Sequence, residues 1–333
     1  MRILRIIAKN ARSAMNTIPL IFNERQINRA VLGGKDSPSE IKLPVGLLLL
    51  NGKGSQFRSA ILEKLIKMGF EQIVSVEKNH ENYNINELSR KFPSVKFVIP
   101  LEKVNEGELI NIGMSEFSCD NVLVFRDNLK IEGELISPRV LERIEELKIL
   151  CTSPRLTCGS ITNFPLIFSP TVRGSTFDVF ASSSISDGLK TLYPLDNIGI
   201  YNRKKFIELG GFDYTINSLH WQTLDFFMRA WLWGEKVLIS TLYSFSYEDD
   251  FPVENLTANL SYGRFFLKNL LPRFDEDHGV IPKSSFFVYL LRSGCGLIES
   301  CRQFCDARNW VSKNKYRFKI DAKYLVENWG KIK

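Results

Sequence analysis

The chain has 333 residues, 44% hydrophobic and 24% charged, a composition that excludes wholesale disorder and allows one large core or two modest ones. The net charge of +7 is unevenly placed: residues 261–333 carry 14 Lys and Arg against 7 Asp and Glu, while the stretch before them holds 30 of each. Such an excess reads either as a contact for an anionic partner, a membrane surface or nucleic acid, or as a solvated helical face.

The N-terminal segment, residues 1–43, interleaves Arg2, Arg5, Lys9 and Arg12 with Ile3, Leu4, Ile6 and Ile7. The spacing predicts an amphipathic helix that lies on a membrane or packs on the body of the protein. It lacks the uninterrupted apolar core of a secretion signal, and no run in the chain reaches the roughly 18 apolar residues of a spanning helix. The six cysteines show no Cys-x-x-Cys or interleaved His, so they read as reduced thiols rather than a disulfide framework or a zinc site. His80, His220 and His278 stand apart from any Ser or Cys partner, which argues against a hydrolytic triad.

From Pro44 to Asp250 short apolar runs alternate with helical stretches, the pattern of a mostly parallel sheet covered by helices. Strands are expected at Val45–Leu50, Gln72–Val76, Val95–Ile99 and Asn121–Arg126, and helices near Gln56–Gly69, Ile85–Lys91 and Gly107–Ser118. A further helix is expected over Ser137–Leu147, with Pro138 in its first turn, and then a strand over Lys148–Thr152. The Ser-, Pro- and Thr-rich stretch Ser153–Asp187 reads as loop or irregular strands. Next come an apolar run, Ile198–Tyr201, a brief basic helix, and the turn Gly210-Gly211-Phe212-Asp213. Its paired glycines suit positive φ or a close backbone approach. A helix over Thr223–Trp233 and a strand over Lys236–Ser240 follow. Residues 251–333 read as a basic, aromatic helical region appended to the rest, with one helix over Ser284–Asp306.

In open α/β sheets ligands sit beyond the carboxyl ends of the strands. That rule points to Asn51–Gly54, Glu77–Asn79, Pro100–Glu106 and Arg126–Asn128. The first, Asn51-Gly52-Lys53-Gly54-Ser55, is either a phosphate cradle or a plain tight turn. Asp225 and Arg229, four apart on one helix, form an ion pair by spacing alone.

Taken together, the ordered string of strand, GGFD turn, and helix with Asp225 and Arg229 resembles the family-2 glycosyltransferases. The resemblance covers roughly Pro44–Thr241 and implies a GT-A fold, an α/β architecture with a Rossmann-like, mostly parallel sheet. It implies an inverting transferase that moves a sugar from a nucleotide diphosphate, a UDP-sugar in the first instance, to a hydroxyl of a cell-envelope glycan or lipid-linked acceptor. It places Asn51, Glu77, Asn111, Arg126 and Asp127 at the donor nucleotide, and Gly211, Phe212, Asp213 and Trp221 on the acceptor side. The Val104–Gly113 crossing, with Asn105 and Asn111, is similar to the family's helix behind the donor site. The expected location is the cytoplasm, with a peripheral place on the inner face of the membrane, where the basic C-terminal region meets anionic lipid rather than nucleic acid.

Two positions depart from the family pattern. Arg126-Asp127-Asn128 stands where the family carries Asp-x-Asp for Mn2+ or Mg2+. Either a metal is held by Asp127 and Asn128 in shifted geometry, or Arg126 itself neutralises the diphosphate, or the donor site is dead. Gln222 and Thr223 stand where the family carries Glu-Asp, whose Asp is the general base. Asp225 is the substitute base on the same helix, and Glu248, Asp249 and Asp250 are acids that would reach the cleft if their loop folds back. A catalytically inactive relative, acting as a nucleotide-sugar or glycan-binding or assembly module, is therefore the alternative. A sugar nucleotidyltransferase, hinted at by Leu50–Gly54, is disfavoured by the lack of a following Arg and by the GGFD turn.

Overall fold

Four near-continuous apolar runs form the centre of the molecule, as expected of parallel strands covered on both faces. The computed structural model describes residues 25–35, 41–51, 58–77, 84–159, 165–174, 176–184, 186–248 and 260–332. The N-terminal amphipathic segment, Gly52–Ser55, Lys78–His80 and Asp249–Asp250 lie outside the described residues.

In chain order the first half comprises β1 (Arg29–Gly33), β2 (Leu43–Asn51), α1 (Arg58–Lys67), β3 (Phe70–Glu77), α2 (Ile85–Lys91), β4 (Val95–Pro100), α3 (Glu106–Ser115), β5 (Asn121–Arg126) and α4 (Pro138–Leu147). Next come β6 (Cys151–Cys158), β7 (Ile167–Arg173), β8 (Thr176–Ser182), β9 (Gly199–Asn202), α5 (Arg203–Glu208), α6 (Leu219–Leu232) and β10 (Val237–Tyr247). The C-terminal region holds α7 (Leu260–Phe265), running into a π-turn over Phe266–Leu270, then β11 (Arg273–Asp275), β12 (His278–Val280), α8 (Ser285–Ser293), α9 (Leu297–Asn314) and α10 (Ala322–Asn328).

Eight strands form one sheet in the order β1-β4-β3-β2-β5-β9-β6-β10. β4, β3, β2 and β5 are mutually parallel neighbours, β6 and β10 pair in parallel, and β1 and β9 run antiparallel to their neighbours. The order places β2 in the middle of its parallel group, with β3 and β4 added on one side and β5 on the other. Between β2 and β5 the direction of winding reverses, the switch point at whose strand tips open α/β sheets bind their ligands. Registry puts Asn51 beside Glu77 and Leu50 beside Arg126, so the three tips are level.

Three elements differ from the sequence expectation. The stretch Ser153–Asp187 contains most of strand β6 and the separate β7–β8 hairpin. Pro154 lacks an N–H for a sheet ladder, and β6 accommodates it next to a register shift opposite Ser240–Ser244. Helix α6 begins at Leu219, earlier than Thr223, and so encloses Trp221, Gln222 and Thr223. The expected single helix over Ser284–Asp306 breaks into α8 and α9 at Gly294, whose φ of 64° ends α8 in the left-handed region.

Candidate functional site in the strand-tip crevice

At the crevice, Arg126 ends β5 and reaches across to two acids from separate parts of the chain. It forms an ion pair with Glu106, the first residue of α3, and its Nε lies 2.9 Å from Asp196 Oδ2. The same Nε donates to the Asp196 carbonyl at 2.9 Å. Burial works against the guanidinium charge, but the Asp196 and Glu106 carboxylates outweigh it and hold Arg126 more firmly protonated than usual. Asp196 and Asn197 both sit at positive φ, 55° and 58°, a strained pair of non-glycine residues of the kind that marks functional loops. Asp196 also touches the Tyr247 hydroxyl, and burial together with that carboxylate pushes the phenol well above its ordinary value.

Asn51 and Glu77, expected to meet the nucleotide, lie together at the tips of β2 and β3. Glu77 is fully buried, ion-paired with Arg58 of α1, and accepts from Ser75 Oγ at 2.9 Å and from Asn51 Nδ2 at 3.5 Å. Beyond β5, Asp127 N donates to Leu50 O at 3.2 Å, and Asn128 O accepts from Glu248 N at 2.9 Å. The end of β10 therefore lies against the loop after β5 and leaves Glu248 exposed beside it. Several buried polar atoms here have no hydrogen-bond partner among the described residues: Asn51 Oδ1, Arg126 Nη2 and Asn128 Oδ1. Orphaned polar atoms are rare in folded proteins, and three at one set of strand tips mark a place built for a polar ligand.

The GGFD corner is positioned by α3. Asn105 caps that helix reciprocally with Glu108, at 3.0 and 2.8 Å, and one turn further Asn111 clamps the Phe212 backbone, donating to its carbonyl at 2.8 Å and accepting from its N–H at 2.9 Å. Gly210 and Gly211 adopt φ of 88° and 66°, which explains the paired glycines. Phe212 is wholly buried among Phe206, Phe226 and Phe227. Gln222, at the position of the expected Glu, is a strut: Nε2 donates to Asn105 Oδ1 and Asp213 O, both at 2.9 Å, and Oε1 accepts from Gly107 N at 3.0 Å. No space remains there; a Cβ on Gly107 would meet Gln222 at 2.5 Å and Phe212 at 2.6 Å. Thr223 exchanges hydrogen bonds with Asn197 at 3.1 and 3.2 Å, linking α6 to the strained turn. Trp221 packs edge-on against His220 and Tyr262.

Asp213 and Asp225 lie in a buried charge network shared with the C-terminal region. Asp225 accepts from Arg229 Nη1 at 2.6 Å, Lys268 Nζ at 3.2 Å and Asn269 Nδ2 at 2.7 Å. Asp213 accepts from the same Lys268 at 2.7 Å, Arg264 Nε at 3.1 Å and Thr215 Oγ1 at 2.6 Å. Burial alone would raise the Asp213 carboxyl; the Lys268 ammonium and Arg264 guanidinium reverse this and hold it far below the carboxylate range. Burial lowers the Lys268 ammonium, against the pull of the two aspartates.

The divalent ion implied by the resemblance finds few ligands. Asp127 and Asn128 offer one carboxylate and one amide oxygen, whereas a hard cation takes six or more oxygens, and Arg126 fills the first place with a cation of its own. Among the described residues no group of three or more His, Cys, Asp and Glu is placed to hold a metal. The residues present do not fit an Asp-x-Asp metal site.

No protein-family profile matches the sequence, nor does any curated protein. Among solved structures, the chain superposes on GalNAc-T7, solved with UDP, GalNAc and Mn2+, with a TM-score of 0.57 at 10% identity over 86% of this chain. It spans 57% of the length of that GalNAc-T7 chain. It also aligns with TarS 1–349 of S. aureus, at a TM-score of 0.45 and 13% identity over 80% of this chain and 71% of that one. A third alignment is with the mannosyltransferase PcManGT of Pyrobaculum calidifontis in complex with GDP-Man and Mn2+, at 0.45 and 8% identity over 93% of this chain and 81% of that one. At these identities the likeness is one of fold, and the fold is of the GT-A type, a mostly parallel sheet flanked by helices.

Proposed function

We propose that this chain is a sugar transferase of the family-2 type, taking a sugar from a UDP-sugar and delivering it, with inversion, to a hydroxyl of a glycan or lipid-linked acceptor of the cell envelope. The observation that carries the proposal is the set of unpartnered polar atoms at the switch-point tips, Asn51 Oδ1, Arg126 Nη2 and Asn128 Oδ1, on a GT-A sheet. In this reading Asn51, beside Glu77, meets the nucleoside, and the free N–H of Arg126 with the neighbouring Asp127–Asn128 loop meets the diphosphate end. The acceptor oxygen attacks the anomeric carbon, the bond to the diphosphate breaks with its electron pair, and the proton passes to a carboxylate. Asp225 is enclosed and fully engaged, so the exposed Glu248 beside the loop after β5 takes the base role here.

A second reading has its own support. Gln222, Thr223 and Asp225 are all consumed by structural bonds, and the Arg126 charge is offset by two acids. A nucleotide-sugar-binding module without turnover would keep this arrangement. Isothermal titration of UDP-sugars together with UDP release, each with and without Mn2+, separates the two. Binding with release supports the transferase, and Glu248→Gln then lowers kcat by about a hundredfold or more with donor affinity unchanged. Binding without release selects the module, and absence of binding removes both.

A further inference from the structure

The C-terminal helical hairpin ends in an apolar tip that nothing in the described molecule covers. Five large apolar side chains within twelve residues are open to solvent: Phe287 at 69%, Val288 at 47% and Leu291 at 88% on α8, and Leu297 at 62% and Ile298 at 87% at the start of α9. They are not misplaced core residues, because the inward faces of the two helices are already filled. Phe286 packs on Phe304 with ring centroids 5.3 Å apart, and the Tyr289 hydroxyl donates to Gln303 Oε1 at 2.5 Å. The Gly294 turn brings the open face of α8 beside the first turn of α9. Scattered apolar residues are ordinary on protein surfaces; a group this large and this exposed marks a contact.

The charge around the tip indicates the kind of contact. From Lys283 to Ile298 there are two basic residues and no acidic one, and Lys283 and Arg292 are both exposed. The first acid beyond, Glu299, is drawn back against the hairpin by Arg302 at 2.8 Å and Gln303 at 2.8 Å. An exposed apolar wedge flanked by cations and cleared of anions complements an anionic lipid surface, whose headgroups attract the cations while the acyl boundary accepts the wedge. Among the described residues no helix is long and apolar enough to cross a membrane, so the contact is peripheral.

We propose that the α8–α9 tip is a membrane-docking device that inserts Phe287, Leu291, Leu297 and Ile298 into the interface of an anionic bilayer. It deepens the proposed function by naming where a lipid-borne acceptor is met, and only that purpose rests on the sugar-transfer reading. The test reads lipid binding directly, so its failure leaves UDP-sugar binding and UDP release to be judged separately.

The full-length protein is co-sedimented with vesicles of phosphatidylcholine containing phosphatidylglycerol, and with phosphatidylcholine alone. Wild type should bind the anionic vesicles more tightly than the neutral ones. The double variant Leu291→Ser, Ile298→Ser should bind them about a hundredfold more weakly, since each buried aliphatic side chain is worth roughly tenfold. Both positions are almost fully exposed, so its thermal midpoint should match wild type. Lys283→Glu with Arg292→Glu should abolish the preference for anionic vesicles. Absence of vesicle binding by wild type, or equal binding by the Ser variant, overturns the proposal. So does sedimentation velocity showing a wild-type dimer that the Ser variant dissolves without any vesicle binding, which would assign the tip to a second copy of this chain.

Discussion

Gln222 shows how much one side chain decides at the pole where the family carries an acid. It has one amide group and uses all of it, two N–H donors toward Asn105 Oδ1 and Asp213 O and one acceptor toward Gly107 N. A glutamate at this position would keep the Gly107 bond and turn its second oxygen toward two other acceptors at a fully buried position. Losing two buried hydrogen bonds and facing like partial charges costs about 1–3 kcal/mol. Gln222→Glu is therefore expected to lower the unfolding free energy by that amount at neutral pH, read as a lower urea midpoint, and to create no turnover. Unchanged stability would show that the strut carries no load. Arg126 makes the matching point at the other pole, where one guanidinium replaces the expected ion but brings two carboxylates of its own.

At the level of elements, the buried network through Asp213, Lys268 and Asp225 joins three pieces far apart in sequence: the GGFD corner, helix α6 and the π-turn. A buried pair is strongly destabilising when one partner is removed, about 3–5 kcal/mol, because the other charge is left without compensation. Asp213→Asn is expected to show this cost at neutral pH, and the cost should depend on pH in a defined direction. The carboxyl of Asp213 titrates lower in the folded protein than in the unfolded chain. Its stabilisation is thus complete above the unfolded value of about 4 and is lost as pH falls below it. The gap in unfolding free energy between wild type and Asp213→Asn should be widest near pH 7 and close progressively below pH 4, measured by urea denaturation across that range. A gap that stays constant would show that Asp213 does not hold its charge through the fold.

The same elements show what the sequence disclosed and what it withheld. The four parallel strands were legible because burial on both faces demands long unbroken apolar runs, as in Leu47–Leu50 and Val122–Phe125. Their tips followed from them, and with the tips came Asn51, Glu77 and Arg126. Strand β6 was legible only at Cys151–Thr152, within the strand expected over Lys148–Thr152; its remainder was hidden by Pro154 and by polar Ser153 and Arg155, and the β7–β8 hairpin by the irregular burial of its strands. Glu106 and Asp196 were missed as partners of Arg126 because the sheet, not the local sequence, brings them together. A signal did exist for Asp196, since Pro194-Leu195-Asp196-Asn197 is a turn-forming string whose Asp and Asn tolerate positive φ. The Asn111 clamp was not legible, because its partner is the backbone of a turn a hundred residues away.

For the molecule as a whole, the question is whether the C-terminal region is an addition or part of the body. The sequence changes character after Tyr247, and the basic excess lies in residues 261–333, so an appended segment was the natural reading. Yet Phe265 and Leu267 are buried, with the Phe265 ring tilted against Trp221, and Lys268 and Asn269 complete the partners of Asp225. Further on, Trp329 packs edge-on against Trp231 at 4.8 Å, Phe318 against Trp233 at 6.1 Å, and Lys319 N donates to Leu232 O at 2.8 Å. Nearly the whole length of α6, the helix that carries the acceptor-side residues, is walled by this region. A chain ending at residue 259 would expose that apolar wall and leave Asp213 and Asp225 without Lys268, Arg264 and Asn269. Each of those losses is comparable to a sizeable part of the 5–15 kcal/mol that holds a typical domain folded. The truncated chain is therefore expected to lose cooperative thermal unfolding and to aggregate, as read by far-UV circular dichroism and size-exclusion chromatography. A soluble 1–259 fragment melting within a few degrees of full length would show that the sheet and α6 stand alone. The Leu291→Ser, Ile298→Ser pair, which touches only the hairpin tip, should by contrast leave the melt unchanged, so that body and tip of one C-terminal region are separated by a single pair of measurements.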